Sequence, residues 1–371
     1  MNNVMILIFL FFISLLSGQV GAFTVWPGVV VYLHDFILAI LALATLCCPR
    51  KPQKFAKPRL LRAIVVFIAV AAFSLLLNCG KFTPWELGAG GLYLVRWIFY
   101  AALYVVVLHT YTYKDVWLFG LFGVGIGLGI LGLFQFFLYP DLRNLMYLGW
   151  DPHYYRLFST LLDPNYTGIL LVFTLLLGMA LWKQKKFRWI IASGEGIAFI
   201  SLLLTYSRSS YLALIGALVV IAALKKQWRI LIGAAAFVGI IFVLPKTPGS
   251  TLSLFRTESS FARIGNWKHG VALIRNVPLF GYGFNTLRYV SDFGLDSSIL
   301  FVGATTGFFG LLAYGYLIFD MIRIGKKHVW YIACLVALGI HSLFVNSAFY
   351  PWVMIWMWIL TGVVERSTGD T

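Results

Sequence analysis

Residues 245–297 read PKTPGSTLSLFRTESSFARIGNWKHGVALIRNVPLFGYGFNTLRYVSDFGLDS. Arg256, Glu258, Arg263, Lys268, His269, Arg275, Arg288, Asp292 and Asp296 all fall inside this stretch. A hydrocarbon layer offers such groups no partners, so the segment lies outside lipid. Almost everything on either side of it is apolar. The chain has 371 residues, 61% of them hydrophobic and 11% charged, with a mean hydropathy of +0.88. Soluble globular domains do not reach that balance, and the composition specifies an all-α polytopic membrane protein, residues 1–371 forming a single integral membrane domain.

Apolar runs of spanning length occur at 4–19, 28–48, 62–78, 88–108, 116–139, 165–182, 188–206, 209–224, 229–244, 298–320, 328–346 and 349–364. These predict about twelve helices across a layer of ~30 Å, with the long polar loop between the ninth and tenth. Orientation follows from Lys and Arg in the short connections. Alternate connections hold Arg50, Lys51, Lys54, Lys57, Arg59 and Arg62, then Lys114, then Lys183, Lys185, Lys186 and Arg188, then Lys225, Lys226 and Arg229, then Arg323, Lys326 and Lys327. The others hold only Lys81, Glu86 and Arg208. Both termini are therefore expected in the cytoplasm and the 245–297 loop outside, in a cytoplasmic (inner) membrane. The net charge of +16 reads as this topology signal plus attraction to anionic membrane lipids, not as nucleic-acid binding.

Met1 to Gly18 lacks a basic leader and a small-residue cleavage site, so it reads as the first span. Cys47, Cys48 and Cys334 fall at cytoplasmic or intramembrane depth and only Cys79 near the outer face, which argues against a structural disulfide. The linear spacing of His and Cys suggests no metal site, and no phosphate-binding Gly loop follows a strand pattern. No cofactor is expected.

Two outer loops exceed simple turns. The shorter, residues 140–164, contains Asp141, Arg143, Asp151, His153 and Arg156 and closes on Asp163-Pro164-Asn165, with Pro at a helix start and Asp163 or Asn165 placed to cap it. In the longer, 245–297, a Pro/Gly breaker at Pro245 to Ser250 precedes Phe261, Ile264, Trp267, Val271 and Ile274 at three- and four-residue spacing. That pattern predicts an interfacial amphipathic helix from Ser259. Gly281-Tyr282-Gly283-Phe284-Asn285 follows, a tight turn that permits close backbone approach.

Arg208 stands in a short turn between two apolar spans, on the face where the topology rule disfavours a cation. A lone arginine there can snorkel to headgroups. Tyr206, Ser207, Ser209, Ser210 and Tyr211 surround this one with hydroxyls, and a guanidinium among hydroxyls suits a diphosphate. Within the spans, Glu195 lies between Gly194 and Gly196, while His34, Asp35, Arg96 and His341 read as interhelical hydrogen-bonding groups.

Arg208-Ser209-Ser210-Tyr211-Leu212 resembles the Arg-x-x-x-Leu motif of the O-antigen ligase and polymerase family. Asp296-Ser297, nine residues and Gly307-Phe308-Phe309-Gly310 resemble that family's His-(Asn/Ser/Gln)-x9-Gly-x-x-Gly motif. Arg156 with Leu161 to Asn165, Arg263-x-x-x-Trp267 and Pro278 to Gly283 agree as well, so the resemblance covers about residues 150–315. One departure is evident: Asp296 stands where the ligases have a histidine. An aspartate can still take a proton from a sugar hydroxyl, and the change favours a polymerase at least as much as a lipid A-core ligase.

The resemblance implies a GT-C-like membrane glycosyltransferase, metal-independent and inverting. It would move a glycan from an undecaprenyl diphosphate carrier to a hydroxyl of a glycan or lipid-linked acceptor, on the outer face of the membrane. Asp296 would be the base and Arg208 the main diphosphate ligand, with Arg288, Arg275 and Arg263 as further cations. Tyr211, Ser297, Asp163, Asn165 and Arg156 would support them. The competing reading of Asp296 is a helix N-cap. At the level of the whole chain, a twelve-helix secondary transporter would show a half-to-half repeat around a midplane cavity, and a lipid-linked glycan flippase would need a cationic path through the spans.

Overall fold

A computed structural model describes residues 3–46, 58–244, 257–291 and 294–369. Cys47, Cys48, Arg50, Lys51, Lys54, Lys57, the breaker Pro245 to Ser250, Arg256 and Asp292 lie outside the described residues, as do the side chains of Glu258 and Ser259. In chain order the helices are α1 (Asn3–Leu15), α2 (Leu33–Leu46), α3 (Leu61–Leu77), α4 (Pro84–His109), α5 (Lys114–Leu138), α6 (Pro164–Leu181) and α7 (Arg188–Leu204). They continue with α8 (Arg208–Lys225), α9 (Ile230–Val243), α10 (Thr257–Asn276), α11 (Ser298–Gly325), α12 (Val329–His341) and α13 (Pro351–Gly369). Among the described residues six helical stretches, those of α4 to α8 and α11, are long and apolar enough to cross a membrane, and α1, α2, α3, α9 and α12 are shorter apolar helices. The protein is a predominantly helical, multi-pass membrane protein.

At the centre, α13 is buried on every side from Pro351 to Glu365. A helix apolar all round belongs inside a bundle, and α13 packs on α4, α5, α6 and α11. The run expected at 28–48 begins instead as strand. β1 (Ala22–Trp26) pairs antiparallel with β2 (Val29–Tyr32), because Val29 to Val31 are β-branched and Gly28 takes the positive φ of the turn, 77°. Asp35 then starts α2 by accepting from the Tyr32 amide at 2.9 Å. The expected interhelical pairing is present: Asp35 also takes hydrogen bonds from Arg96 and Tyr100 of α4.

One irregularity governs the rest. α11 breaks at Gly307, whose φ of 68° and ψ of −161° are non-helical. An unbroken helix would bond the Phe308 and Phe309 amides to the Ala304 and Thr305 carbonyls. Here Phe308 and Phe309 donate to the Pro278 and Leu279 carbonyls at 2.7 and 3.2 Å, while Ala304 and Thr305 accept from Tyr282 and Gly283 at 2.9 Å each. The two backbone segments exchange partners, so these four amides and four carbonyls stay paired across the break. Ser74 of α3 adds bonds to the Phe280 and Thr305 carbonyls (2.6 and 2.8 Å), and Asn78 one to Gly281 (3.0 Å). The Pro278 to Gly283 and Gly307 to Gly310 motifs are thus two halves of one backbone joint, which fixes the segment leading to Asp296.

Candidate functional site

The site lies where the first turns of α6, α8 and α11 meet the last turn of α12. Asp163 caps α6 as its sequence suggests, accepting from the Asn165 and Tyr166 amides at 2.6 and 3.2 Å. Asn165 then ties α6 to α8: its side-chain oxygen accepts from Ser207 Oγ (2.9 Å) and its carbonyl from Ser210 Oγ (3.3 Å). Ser207 is the N-cap of α8. Behind it, His341 Nε2 meets Ser209 and Ser210 Oγ at 3.1 and 3.2 Å, and its Nδ1 meets Ser347 Oγ at 2.6 Å. His341 is therefore the interhelical link its position suggests. Together these bonds set the first residue of α8, which is Arg208, half-buried at the rim.

The segment before α6 and the turn before α8 are held against their own preferences. Tyr155, Ser159, Leu162 and Tyr206 all have positive φ without being glycine, at 48°, 53°, 54° and 49°. Such strain costs about 1–3 kcal/mol each and persists only where surrounding bonds over-determine the backbone. The bonds are present: Gln135 Oε1 accepts from the Phe158 and Ser159 amides, Leu157 donates to the Leu204 carbonyl, and buried Arg156 donates through Nε to the Thr205 carbonyl at 2.9 Å and weakly to Tyr206 at 3.4 Å. Arg156 thus satisfies the end of α7 and steadies the turn that bears Arg208. Tyr211 is likewise a staple, donating to the Leu203 carbonyl at 2.6 Å.

α10 contributes the third wall. Its Asn266 accepts from the Asp296 amide (3.0 Å) and donates to the Gly294 carbonyl (2.6 Å). Its Trp267 donates to the Leu343 carbonyl at 3.1 Å, and the Arg263 guanidinium lies over the Phe344 ring at 5.6 Å. Arg263 is close enough to Arg208 and Asp296 to feel both. Partial burial, then Arg208, push its basicity down, while Asp296 holds it up. For Asp296 the signs reverse: partial burial pushes the carboxyl above the usual carboxylate range, Arg263 draws it back and Asp151 adds to the rise. Burial also raises Asp163, against its two backbone amides and Arg156. The helix-cap alternative for Asp296 does not hold, since Ser297 is the N-cap of α11 and no side chain caps there.

Not every expected residue joins this group. Arg288 donates to the Gly28 carbonyl at 2.6 Å and to Asn285 Oδ1 at 3.0 Å, with its guanidinium 4.5 Å from the centre of the Tyr93 ring. It straps the loop to the β1–β2 turn. Arg275 lines a groove on another face of α10 together with Lys268. In the opposite direction, the fold adds two residues that linear spacing passes over. The ligand atoms of Asp151, His153 and Asp163 lie within 4.8 Å of one another, and two carboxylates with an imidazole are a donor set that fits a divalent cation. Asp151-Pro152-His153, ten residues before Asp163, is the signal that points to them.

Fold and site together define a helical membrane protein with cations and carboxylates gathered where several helix ends converge. Residues 195–315 match the family model described as O-antigen ligase. The chain is also 24% identical over 328 residues to the O-antigen ligase of Salmonella typhimurium (strain LT2), across 80% of this chain and 78% of that protein. Both findings support the O-antigen ligase and polymerase family. The matched window takes in Arg208, Arg263, Asp296 and Gly307; Arg156, Asp163 and Asn165 precede it.

Proposed function

We propose that this protein is a glycosyltransferase that moves a glycan from an undecaprenyl diphosphate carrier to an acceptor hydroxyl. The observation that carries the reading is that Arg263, on the second turn of α10, feels both Arg208 at the start of α8 and Asp296 just before α11. Arg208 and Arg263 hold the diphosphate and stabilise the charge it gains as the anomeric C–O bond breaks. Asp296 takes the proton from the acceptor oxygen as that oxygen bonds to the anomeric carbon, and the diphosphate leaves with the bonding electron pair. Attack opposite the leaving group inverts the anomeric centre. In this reading the chain has twelve spans with both termini in the cytoplasm and its site on the outer face of the inner membrane, which the basic residues at the opposite helix ends support. A site at helix ends, with the Asp35–Arg96 pair closed on itself, favours an interfacial enzyme over a transporter.

Asp296→Asn tests the base. It should reduce transfer by about 10²–10⁴-fold, the range for removing a general base. The parent's rate should fall on its acid side above the ordinary carboxylate range. Stability moves the other way: because the folded carboxyl is raised, its ionisation weakens the fold, not at all below the unfolded pKa and fully above the folded one. At neutral pH the Asn variant should therefore unfold no lower than the parent, and any advantage should vanish as the pH drops below the usual carboxylate range. Normal surface glycan in cells carrying Asp296→Asn at normal expression would remove Asp296 from the mechanism. The pattern of loss names the acceptor: absence of attached glycan indicates a ligase, and collapse of a ladder to single repeat units indicates a polymerase.

With arginines carrying the leaving-group charge, transfer by the purified protein should persist in a chelator of divalent ions. Loss of activity that one divalent ion restores in the parent but not in an Asp151→Asn variant would instead assign Asp151, His153 and Asp163 as an essential cation site.

A further inference from the structure

α10 is apolar on two sides, and among the described residues only one of them is covered. Leu273 packs inward with Leu287, Leu295 and Ala304, and Gly270 is buried against Leu300. On the outward side Phe261, Ile264, Trp267 and Val271 are 70%, 46%, 36% and 39% exposed. Below them runs a groove of about 500 Å³ lined by Ile264, Trp267, Val271 and Ala272 and by the two cations Lys268 and Arg275. Trp267 is pinned through its indole nitrogen to the Leu343 carbonyl, so one wall of the groove is rigid.

We propose that this groove binds an anionic phospholipid, with the acyl chain against Ile264, Trp267 and Val271 and the headgroup phosphate between Lys268 and Arg275. Three features select that occupant. Apolar side chains at helical spacing match a chain lying along the helix. Lys268 and Arg275 are seven residues apart, which in a helix of 3.6 residues per turn leaves them only about 20° apart around the axis and roughly 10 Å along it, within reach of one phosphate. Both described charges in the groove are positive, so a headgroup carrying its own cation would meet repulsion where a net anion meets none. The interfacial Trp fits the depth at which headgroups lie. This site is separate from the Arg208–Arg263–Asp296 group and does not rest on the proposed reaction.

The test uses the full chain purified in detergent, with bound lipid read by mass spectrometry of the intact complex and by thermal shift. The parent should retain phosphatidylglycerol over phosphatidylcholine, and phosphatidylglycerol alone should raise the unfolding midpoint. Lys268→Gln with Arg275→Gln should weaken phosphatidylglycerol retention by about thirtyfold, a few-fold per basic residue near an anionic lipid, and erase the preference. The single variants keep the test readable if the double variant folds poorly. An unchanged preference in the variants overturns the proposal. So does competition by glycerol phosphate without chains, which would mark a soluble-phosphate site, or displacement by a polyprenyl diphosphate, which would mark the groove as part of the donor site.

Discussion

Arg208→Ala should lower transfer by about 10²–10³-fold, the cost of removing one preorganised group that stabilises transition-state charge. The loss should fall on kcat more than on KM, because the diphosphate gains charge as the glycosidic bond breaks. α8 should still form, since its cap is Ser207 and its first turn is tied to Asn165 and His341 through Ser207, Ser209 and Ser210. Arg208→Lys separates charge from geometry: an ammonium restores the charge but not the planar fork that grips two phosphate oxygens, so rescue should be small. Carrier-linked glycan accumulating in cells with either variant, at parental expression and thermal midpoint, is the expected observation. Parental transfer rates in Arg208→Ala would take the diphosphate away from this residue.

Much of this geometry is legible in the sequence. Apolar runs mark most of the described helices within a few residues, and the order of the motifs singles out Arg208 and Asp296 as candidates. Linear spacing does not rank the cations. Arg263, Lys268 and Arg275 look equivalent along the chain, yet a helix turns by roughly 140° between the first two and only about 20° between the last two. Applying that phase to Trp267 would have set Arg263 apart from the pair that lines the outward groove. Arg288 was beyond such reasoning, because its main partner, the Gly28 carbonyl, comes from a hairpin that the run of apolar residues at 28–48 disguises as helix. Asp151 and His153 were hidden for a similar reason. Their approach to Asp163 depends on strained loop backbone held by Gln135 and Arg156, and strain of that kind leaves no periodic trace in a sequence.

Gly307→Ala should cost a large part of the protein's stability. A Cβ there would stand 2.3 Å from the Leu279 carbonyl carbon and oxygen, and the backbone φ of 68° is strained for any side chain. Backbone cannot swing aside as a flexible side chain can, so relief requires α11 and the Pro278 to Gly283 segment to part. That separation breaks the exchanged bonds of Phe308, Phe309, Tyr282 and Gly283, each worth about 0.5–1.5 kcal/mol when made and more when its groups are left buried without a partner. A total near 3–5 kcal/mol follows, at the upper end for point substitutions, and should appear as a large drop in the unfolding midpoint in detergent. Gly315→Ala is the control on the same helix, because a Cβ there meets nothing within 4 Å and alanine favours helix over glycine. The same joint sets the position of the loop that ends at Asp296, so conditions mild enough to keep Gly307→Ala folded should still show impaired transfer. Equal midpoints for the two alanine variants would mean that the break in α11 does not hold that loop, and Asp296 would then need another anchor.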